Sequence, residues 1–370
     1  MIILLWLVLF GIFAGSYIAY FGYLKLHAGK PWGLKVDSHF CPDITILIPA
    51  HNEEKMIRTK LENLAGVSYP KEKMEVILID DASTDQTLAE AHDYVRNHPG
   101  LPLKVLKQNP RKGKASALNM GLEASSNDVV VVTDADSFFP SDTLRKALPY
   151  MSDPRVGALT GHGVITKFME SWVTRAEEGY LGLINLLRLG ESKIHSTIRF
   201  EGCFCVFKKD AFDKFDSESG ADDSGTALRV VQNGYRAILV PEIYAFIEIP
   251  NKLVNRMKVK IRRAIHLNEL WFHCLKLLLK RHLRLPKRIA VPEIFISIFN
   301  PIIFVVLACV TLILVASYPI ALIFLILGFC VLGLIPVSGS YLLQGVSDQF
   351  ILFYSIFYYA SKKKIVAWDN

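Results

Sequence analysis

Val129-Val130-Val131-Val132-Thr133-Asp134-Ala135-Asp136 decides how this chain is read. An unbroken β-branched run of this kind belongs to a strand covered on both faces, the habit of parallel sheets. It ends in two carboxylates one residue apart. Ligands of open α/β sheets collect beyond the carboxyl ends of the strands, and two hard oxygen ligands delivered there suit Mg²⁺ or Mn²⁺ carrying a diphosphate. Taken alone, Asp-x-Asp has a plainer explanation as a polar turn before a helix starting near Asp142. The surrounding strands decide between the two.

Working outward, residues 44–48 read as a buried strand, followed by the polar turn Pro49-Ala50-His51-Asn52-Glu53-Glu54 and a helix over residues 55–64. Residues 75–79 form the next strand, which runs into Asp80-Asp81-Ala82-Ser83-Thr84-Asp85. There Ser83 or Thr84 is placed to cap a helix over residues 86–97. A short strand at 104–107, a helix at 113–123 and the Val129 strand complete the alternation, which predicts a parallel, doubly wound sheet with right-handed crossovers. Three acidic turns, at Asn52-Glu53, Asp80-Asp81 and Asp134-Asp136, then leave strand ends toward one crevice. A nicotinamide-binding domain is disfavoured, because no Gly-x-Gly-x-x-Gly follows the first strand and bare carboxylates repel a pyrophosphate. A divalent metal resolves that repulsion, and Lys112 and Lys114 can add positive charge.

Composition sets the frame. Of 370 residues 51% are hydrophobic, with a mean hydropathy of +0.30, too apolar for an ordinary soluble protein. Residues 2–24 are apolar for about the length that crosses a bilayer. No basic residue precedes them and no small-residue cleavage site follows, which favours a retained transmembrane helix over a signal peptide. Lys25, Lys30 and Lys35 follow, so the positive-inside rule puts the globular part in the cytoplasm. Residues 294–316 and 319–337 are further spans, and 349–360 is apolar but short, read as an interfacial or re-entrant piece before Lys362-Lys363-Lys364. Residues 252–285 combine Leu253, Met257, Ile261, Ile265, Trp271, Phe272 and Leu275 at near-helical spacing with many basic residues, the pattern of a helix in the headgroup plane.

The domains expected are a spanning helix at 1–24, a catalytic domain at 25–250, interfacial helices at 251–289 and a membrane region at 290–370. The net charge of +7 sits beside these apolar segments, which points to anionic lipid or phosphorylated substrates and away from nucleic acid. Six cysteines (Cys41, Cys203, Cys205, Cys274, Cys309, Cys330) contain no Cys-x-x-Cys, so neither a disulfide framework nor a zinc site is indicated.

Ile48-Pro49-Ala50-His51-Asn52-Glu53, Ile79-Asp80-Asp81-Ala82-Ser83-Thr84-Asp85, Lys112-Gly113-Lys114-Ala115-Ser116-Ala117-Leu118-Asn119 and Thr133-Asp134-Ala135-Asp136 together resemble glycosyltransferase family 2. This is the inverting family with a GT-A fold that includes membrane-bound cellulose, chitin and hyaluronan synthases. Gly202-Cys203-Phe204-Cys205 is similar to the family's strand beside the acceptor site, and Ala221-Asp222-Asp223 to its Glu-Asp motif with the catalytic base.

The resemblance implies an α/β GT-A, Rossmann-like catalytic domain with a mostly parallel sheet, flanked by N-terminal and C-terminal transmembrane helices. It also implies a nucleotide-sugar donor, UDP-linked, held by Pro49, Ala50, Asn52, Glu53, Asp80, Asp81, Lys112, Lys114 and Asp134, with Mg²⁺ or Mn²⁺ on Asp134 and Asp136. Gly202, Cys203 and Asp222 fall on the acceptor side, Asp223 is the base, and Arg262 or Arg263 steadies the leaving diphosphate. The acceptor implied is a lipid or lipid-linked sugar, and the location the plasma membrane. The Gln-x-x-Arg-Trp motif of processive synthases is reduced here to Val259-Lys260-Ile261-Arg262-Arg263. Without the tryptophan that stacks on a sugar chain, transfer of one or a few sugars is expected over polymerisation. A catalytically silent, nucleotide-sugar-binding scaffold is the alternative of another class.

Overall fold

A computed structural model describes residues 1–166, 172–217, 222–250, 252–318 and 338–361. The chain divides into two units, one built on a sheet and one on helices.

The sheet unit comprises residues 27–167 and 184–249. Its elements are β1 (Ile44–Ala50), α2 (Ile57–Ala65), β2 (Met74–Asp81), α3 (Thr87–Asn97), β3 (Leu103–Gln108), α4 (Lys114–Ala124), β4 (Val129–Val132), α5 (Thr143–Ala147), β5 (Val156–Ile165), β6 (Cys205–Lys208), α7 (Asp222–Gln232) and β7 (Arg236–Ile247), while α1 (Ile2–Ala28) precedes it. The strands form one seven-stranded sheet in the order β3-β2-β1-β4-β6-β5-β7. The β-branched runs fill its middle: all of β1 and β4 is buried, as their unbroken apolar sequence requires. Ile46, Ile48, Val76, Leu78, Val131 and Val206 anchor the core that α2 covers with Ile57, Leu61 and Leu64.

Two features of the topology position chemistry. β1 pairs in parallel with β2 on one side and β4 on the other, so the strand order reverses at β1/β4, the place where open α/β sheets bind ligands. The second feature is the strand that makes the sheet mostly rather than wholly parallel, as the GT-A expectation has it. β6 runs antiparallel to both β4 and β5, with Cys205 opposite Val132, so β6 begins where β4 ends. That reversal carries Gly202 and Cys203 to the edge at which Asp134 emerges.

The helical unit takes residues 1–26, 172–183 and the described residues between 250 and 361. It holds α1, the first half of α6 (Trp172–Ile194), α8 (Leu253–Leu279), α9 (Lys287–Ile294), α10 (Asn300–Ser317) and α11 (Ser338–Ala360). Among the described residues two helices, Ile2–Ala28 and the continuous Lys287–Ser317, are long and apolar enough to cross a membrane. Against α10, α1 places Trp6, whose Nε1 donates to Thr311 Oγ1 at 2.8 Å, and Phe13, whose ring lies 5.5 Å from that of Phe304. Asn300 Nδ2 donates to Ser16 Oγ at 2.9 Å.

The short apolar piece at 349–360 is the second half of α11, a 23-residue helix, because helical structure extends back through Ser338. The expected span at 319–337 and the lysines at 362–364 lie outside the described residues. On α8 the buried face is Arg256, Ala264, Ile265, Asn268, Trp271 and Cys274, while Leu253 is 49% exposed. Asn268 Nδ2 donates to Ser355 Oγ at 2.5 Å and Phe272 stacks on Tyr359 at 4.3 Å, which joins α8 to α11.

Candidate active site

The first two acidic turns are knitted together before either reaches a ligand. Asn52 takes a left-handed backbone with φ 57°, and Ala82 does the same with φ 56°. Non-glycine residues seldom adopt this conformation, which costs about 1–3 kcal/mol where it persists. The return is a set of cross-links. Asn52 N–H donates to Ser83 Oγ, its Oδ1 accepts from Thr84 N–H, each at 2.9 Å, and Glu53 N–H donates to Thr87 Oγ1 at 2.7 Å.

Neither Ser83 nor Thr84 caps α3, contrary to expectation, because both are spent on the β1 turn. Asp85 Oδ1 instead accepts the Thr87 N–H at 3.0 Å. Asp80 is fully buried, and its carboxylate accepts the Ser83 N–H. The Asp81 carboxylate accepts Gln108 Nε2 at 2.5 Å, Lys112 N–H at 2.9 Å and Gly113 N–H at 2.8 Å. Asp81 therefore shapes the loop that delivers Lys114. Gly113, at φ 88°, supplies the positive dihedral that this loop needs. Lys112 itself is exposed.

At the centre Lys114, the first residue of α4, places Nζ 2.6 Å from Asp134 Oδ1 and 3.5 Å from Asp222 Oδ2. Asp222 and Asp223 open α7, where carboxylates are favoured by the helix dipole, and Asp223 Oδ1 accepts the N–H of Ser224 at 2.7 Å. Gly202 approaches so closely that a Cβ there would stand 2.5 Å from Lys114 Nζ and 3.0 Å from Asp134 Oδ2. Only glycine leaves that space.

Charge in this pocket is unbalanced toward the negative. Burial works against the Lys114 ammonium, yet Asp134, Asp222 and Asp223 hold it protonated, well above the ordinary lysine value. Burial, then the like charge of Asp222, lifts the Asp223 carboxyl to about 6 against the pull of Lys114. Burial and Asp134 raise Asp136. Glu53 is pushed up to about 7 by burial and by Asp136, Asp134 and Asp85 in turn. The effect of Asp136 and Asp134 on Glu53 puts the first and third acidic turns in one electrostatic neighbourhood. Burial, helped by Glu201 and Asp134, keeps the Cys203 thiol protonated, so it offers no thiolate ligand.

Among the described residues no three His, Cys, Asp or Glu side chains are grouped as a ready metal cage. Asp134 and Asp136 would suit a hard, hydrated cation such as Mg²⁺ or Mn²⁺, which takes phosphate and water as further ligands. The raised Asp136 and Glu53 are what such a cation would relieve.

Residues that sequence reasoning passed over hold this arrangement in place. Lys60 of α2 is fully buried, with Nζ donating to Thr133 Oγ1 at 2.7 Å and to Ser137 O. Burial presses its ammonium down to about 7 while Asp134 and Asp136 oppose the fall. Asn63 exchanges two hydrogen bonds with the backbone of Phe139, at 2.9 and 3.2 Å. The clue was available, since Lys60 occupies the apolar phase of α2 with Ile57, Leu61 and Leu64. Glu201, just before Gly202, is fixed by Arg188 and by the Gly163 N–H at 2.8 Å. Arg262 and Arg263 stand on α8 of the helical unit, where burial and then Arg263 lower the Arg262 guanidinium.

Residues 45–215 match the model of the family described as Glycosyl transferase family 2. The chain is 28% identical over 218 residues to the probable glycosyltransferase YdaM of Bacillus subtilis (strain 168), covering 54% of this chain and 49% of that protein. It is also 28% identical over 225 residues to a poly-beta-1,6-N-acetyl-D-glucosamine synthase of Staphylococcus aureus (strain COL), covering 60% and 53% respectively. The chain thus spans about half the length of the curated relatives it matches. Among solved structures it is similar to the mannosyltransferase PcManGT from Pyrobaculum calidifontis in complex with GDP-Man and Mn²⁺, at 28% identity and a TM-score of 0.83, covering 98% of this chain and 100% of that one.

Proposed function

We propose, from the premise that this glycosyltransferase carries a family 2 domain of GT-A fold, that it moves a sugar from a nucleoside-diphosphate donor to a lipid or lipid-linked acceptor with inversion. The observation that carries the reading is the convergence of Lys114, Asp134, Gly202, Asp222 and Asp223 at the β1/β4 switch point. Donor binding falls to the strand-end turns, with Pro49, Ala50, Asn52, Glu53, Asp80 and Asp81 toward the nucleotide and Lys112 and Lys114 toward the diphosphate. Asp134 and Asp136 would hold Mg²⁺ or Mn²⁺, which supplies Lewis-acid stabilisation of the leaving group.

Asp223 would take the proton from the acceptor hydroxyl as it attacks the anomeric carbon. A carboxyl held near 6 is ionised at neutral pH and still basic enough to accept that proton. Gly202 and Cys203, beside Asp134, would lie on the acceptor side, an assignment supported by motif resemblance. Arg262 or Arg263 is assigned to the departing diphosphate from motif resemblance. The membrane reading rests on the two apolar helices, with the sheet unit in the cytoplasm by the lysines after α1. Single or short transfer is favoured over a ladder because Val259–Arg263 lacks the tryptophan of the processive motif.

The deciding experiment incubates membranes carrying the protein, or its Asp136→Asn variant, with Mn²⁺ and radiolabelled UDP- and GDP-sugars. The expected result is one Asp136-dependent, organic-extractable product from one donor. A polymer ladder would make the chain a synthase, and no product with any donor and acceptor would leave a sugar-nucleotide-binding scaffold.

A further inference from the structure

Lysine is almost never fully buried unless it is paired, and desolvating its ammonium is costly. Lys60 is nonetheless among the largest fully buried side chains here, and among the described residues no carboxylate bonds it directly. Its partners sit on either side of the acidic turn. Thr133 Oγ1 lies one residue before Asp134, and Ser137 O one residue after Asp136. The Phe139 ring lies 4.9 Å beneath Nζ. One turn along the same face of α2, Asn63 grips the Phe139 backbone from both sides. Thr133 Oγ1 passes the link on by donating to Cys203 O at 2.8 Å, next to the glycine that closes on Lys114 and Asp134.

We infer that Lys60, with Asn63 and Thr133, is a positioning device that fixes the Asp134–Asp136 turn in the geometry needed to hold a divalent cation and diphosphate. The inference rests on the donor-site reading given above. A hydrophobic residue at 60 would pack in the same apolar phase of α2, but it would leave Ser137 O and Thr133 Oγ1 short of a donor and the turn free to shift. Small displacements of carboxylate ligands matter because Mg²⁺ demands near-ideal octahedral geometry, and because the outer partners that orient ligating carboxylates set metal affinity.

A positioning role and a purely electrostatic one predict opposite signs. If Lys60 acted only as a positive charge near the carboxylates, its removal would tighten cation binding. If it holds the turn, removal loosens binding, and the uncharged changes Asn63→Leu and Thr133→Val act in the same direction.

The test titrates Mn²⁺ into the full-length protein in detergent by electron paramagnetic resonance, with saturating UDP or GDP, and records thermal unfolding alongside. Lys60→Met is expected to weaken Mn²⁺ at least tenfold, and Asn63→Leu and Thr133→Val about three- to fivefold, while Glu62→Gln on the exposed face of α2 matches the unaltered protein. Unchanged or tighter Mn²⁺ binding in Lys60→Met overturns the inference. If Lys60→Met does not fold, wild-type Mn²⁺ affinity in both Asn63→Leu and Thr133→Val overturns it equally. Asp136→Asn separates the levels. Loss of Mn²⁺ there with retention in Lys60→Met defeats the inference alone, whereas no Mn²⁺ bound by the unaltered protein defeats the donor-site reading and this inference with it.

Discussion

Two clusters of buried charge, one in each unit, differ in their arithmetic. In the helical unit Arg256 pairs with Glu177, and Lys260 lies 3.6 Å from Glu177 and 3.0 Å from Asp348, so among the described residues two cations face two anions. In the sheet unit Glu53, Asp134, Asp136, Asp222 and Asp223 face chiefly Lys114, with Lys60 behind the turn. Among the described residues the first cluster balances in charge. The second keeps a negative surplus that folding alone gives no reason to assemble, and a cation from outside would complete it. Internal balance marks a fastening, and imbalance marks a working site.

If the difference is real, neutralising one group should cost opposite things in the two places. Asp223→Asn should lower sugar transfer by about 10²- to 10⁴-fold, the usual worth of a general base, with nucleotide binding retained. Its stability should hold or rise. A carboxyl raised to about 6 in the fold, against an ordinary value near 4, carries a penalty that sets in as pH climbs between those values and is complete above 6. Full activity in Asp223→Asn would remove the residue from this role. Arg256→Met should do the reverse, costing about 3–5 kcal/mol of stability by leaving Glu177 buried and under-compensated. Arg256→Met with Glu177→Leu should recover most of that loss in thermal unfolding. A stable single variant would mean that the fastening carries little weight.

Gly202→Ala sharpens the comparison at the boundary between packing and chemistry. The added methyl would meet Lys114 Nζ and Asp134, and overpacking of this kind costs about 1–3 kcal/mol. Because the clash falls on the pair at the centre of the site, transfer should drop about tenfold or more with a smaller fall in melting temperature. Equal losses in both would assign Gly202 to packing only.

What could be read in advance follows the same division. The strands and the carboxylate ends at Asp80 and Asp134 were legible because apolar runs and local motifs report on their own neighbourhood, whereas Asp223, which opens α7, was singled out by family resemblance. Long-range polar partnerships were not. Asp81 turned out to organise the loop at Lys112–Gly113, and Ser83 and Thr84 to hold Asn52 instead of capping α3. Periodicity reports which face of a helix is buried and is silent on which hydroxyl a buried lysine will meet 73 residues away. The reversal of β6 was hidden for a related reason. A four-residue strand buried on both faces reads the same in either direction, and only pairing with both β4 and β5 fixes its sense.

The smallest effect tests the surplus charge directly. Asp223 is held up first by burial and second by Asp222, with Lys114 opposing and Asp134 adding to the rise. Its ionised form is lost as pH falls through about 6, so kcat/KM should decline about tenfold per unit below that point. Glu53, pushed up to about 7, titrates nearby, so the profile is best taken in a Glu53→Gln background. Asp222→Asn removes one like charge, which should shift the acid limb of the profile to lower pH by less than a unit, since burial remains. A limb that stays in place would mean that burial alone sets Asp223 and that the crowding of carboxylates is incidental. A shift would tie the base to the negative surplus that separates this cluster from the balanced one.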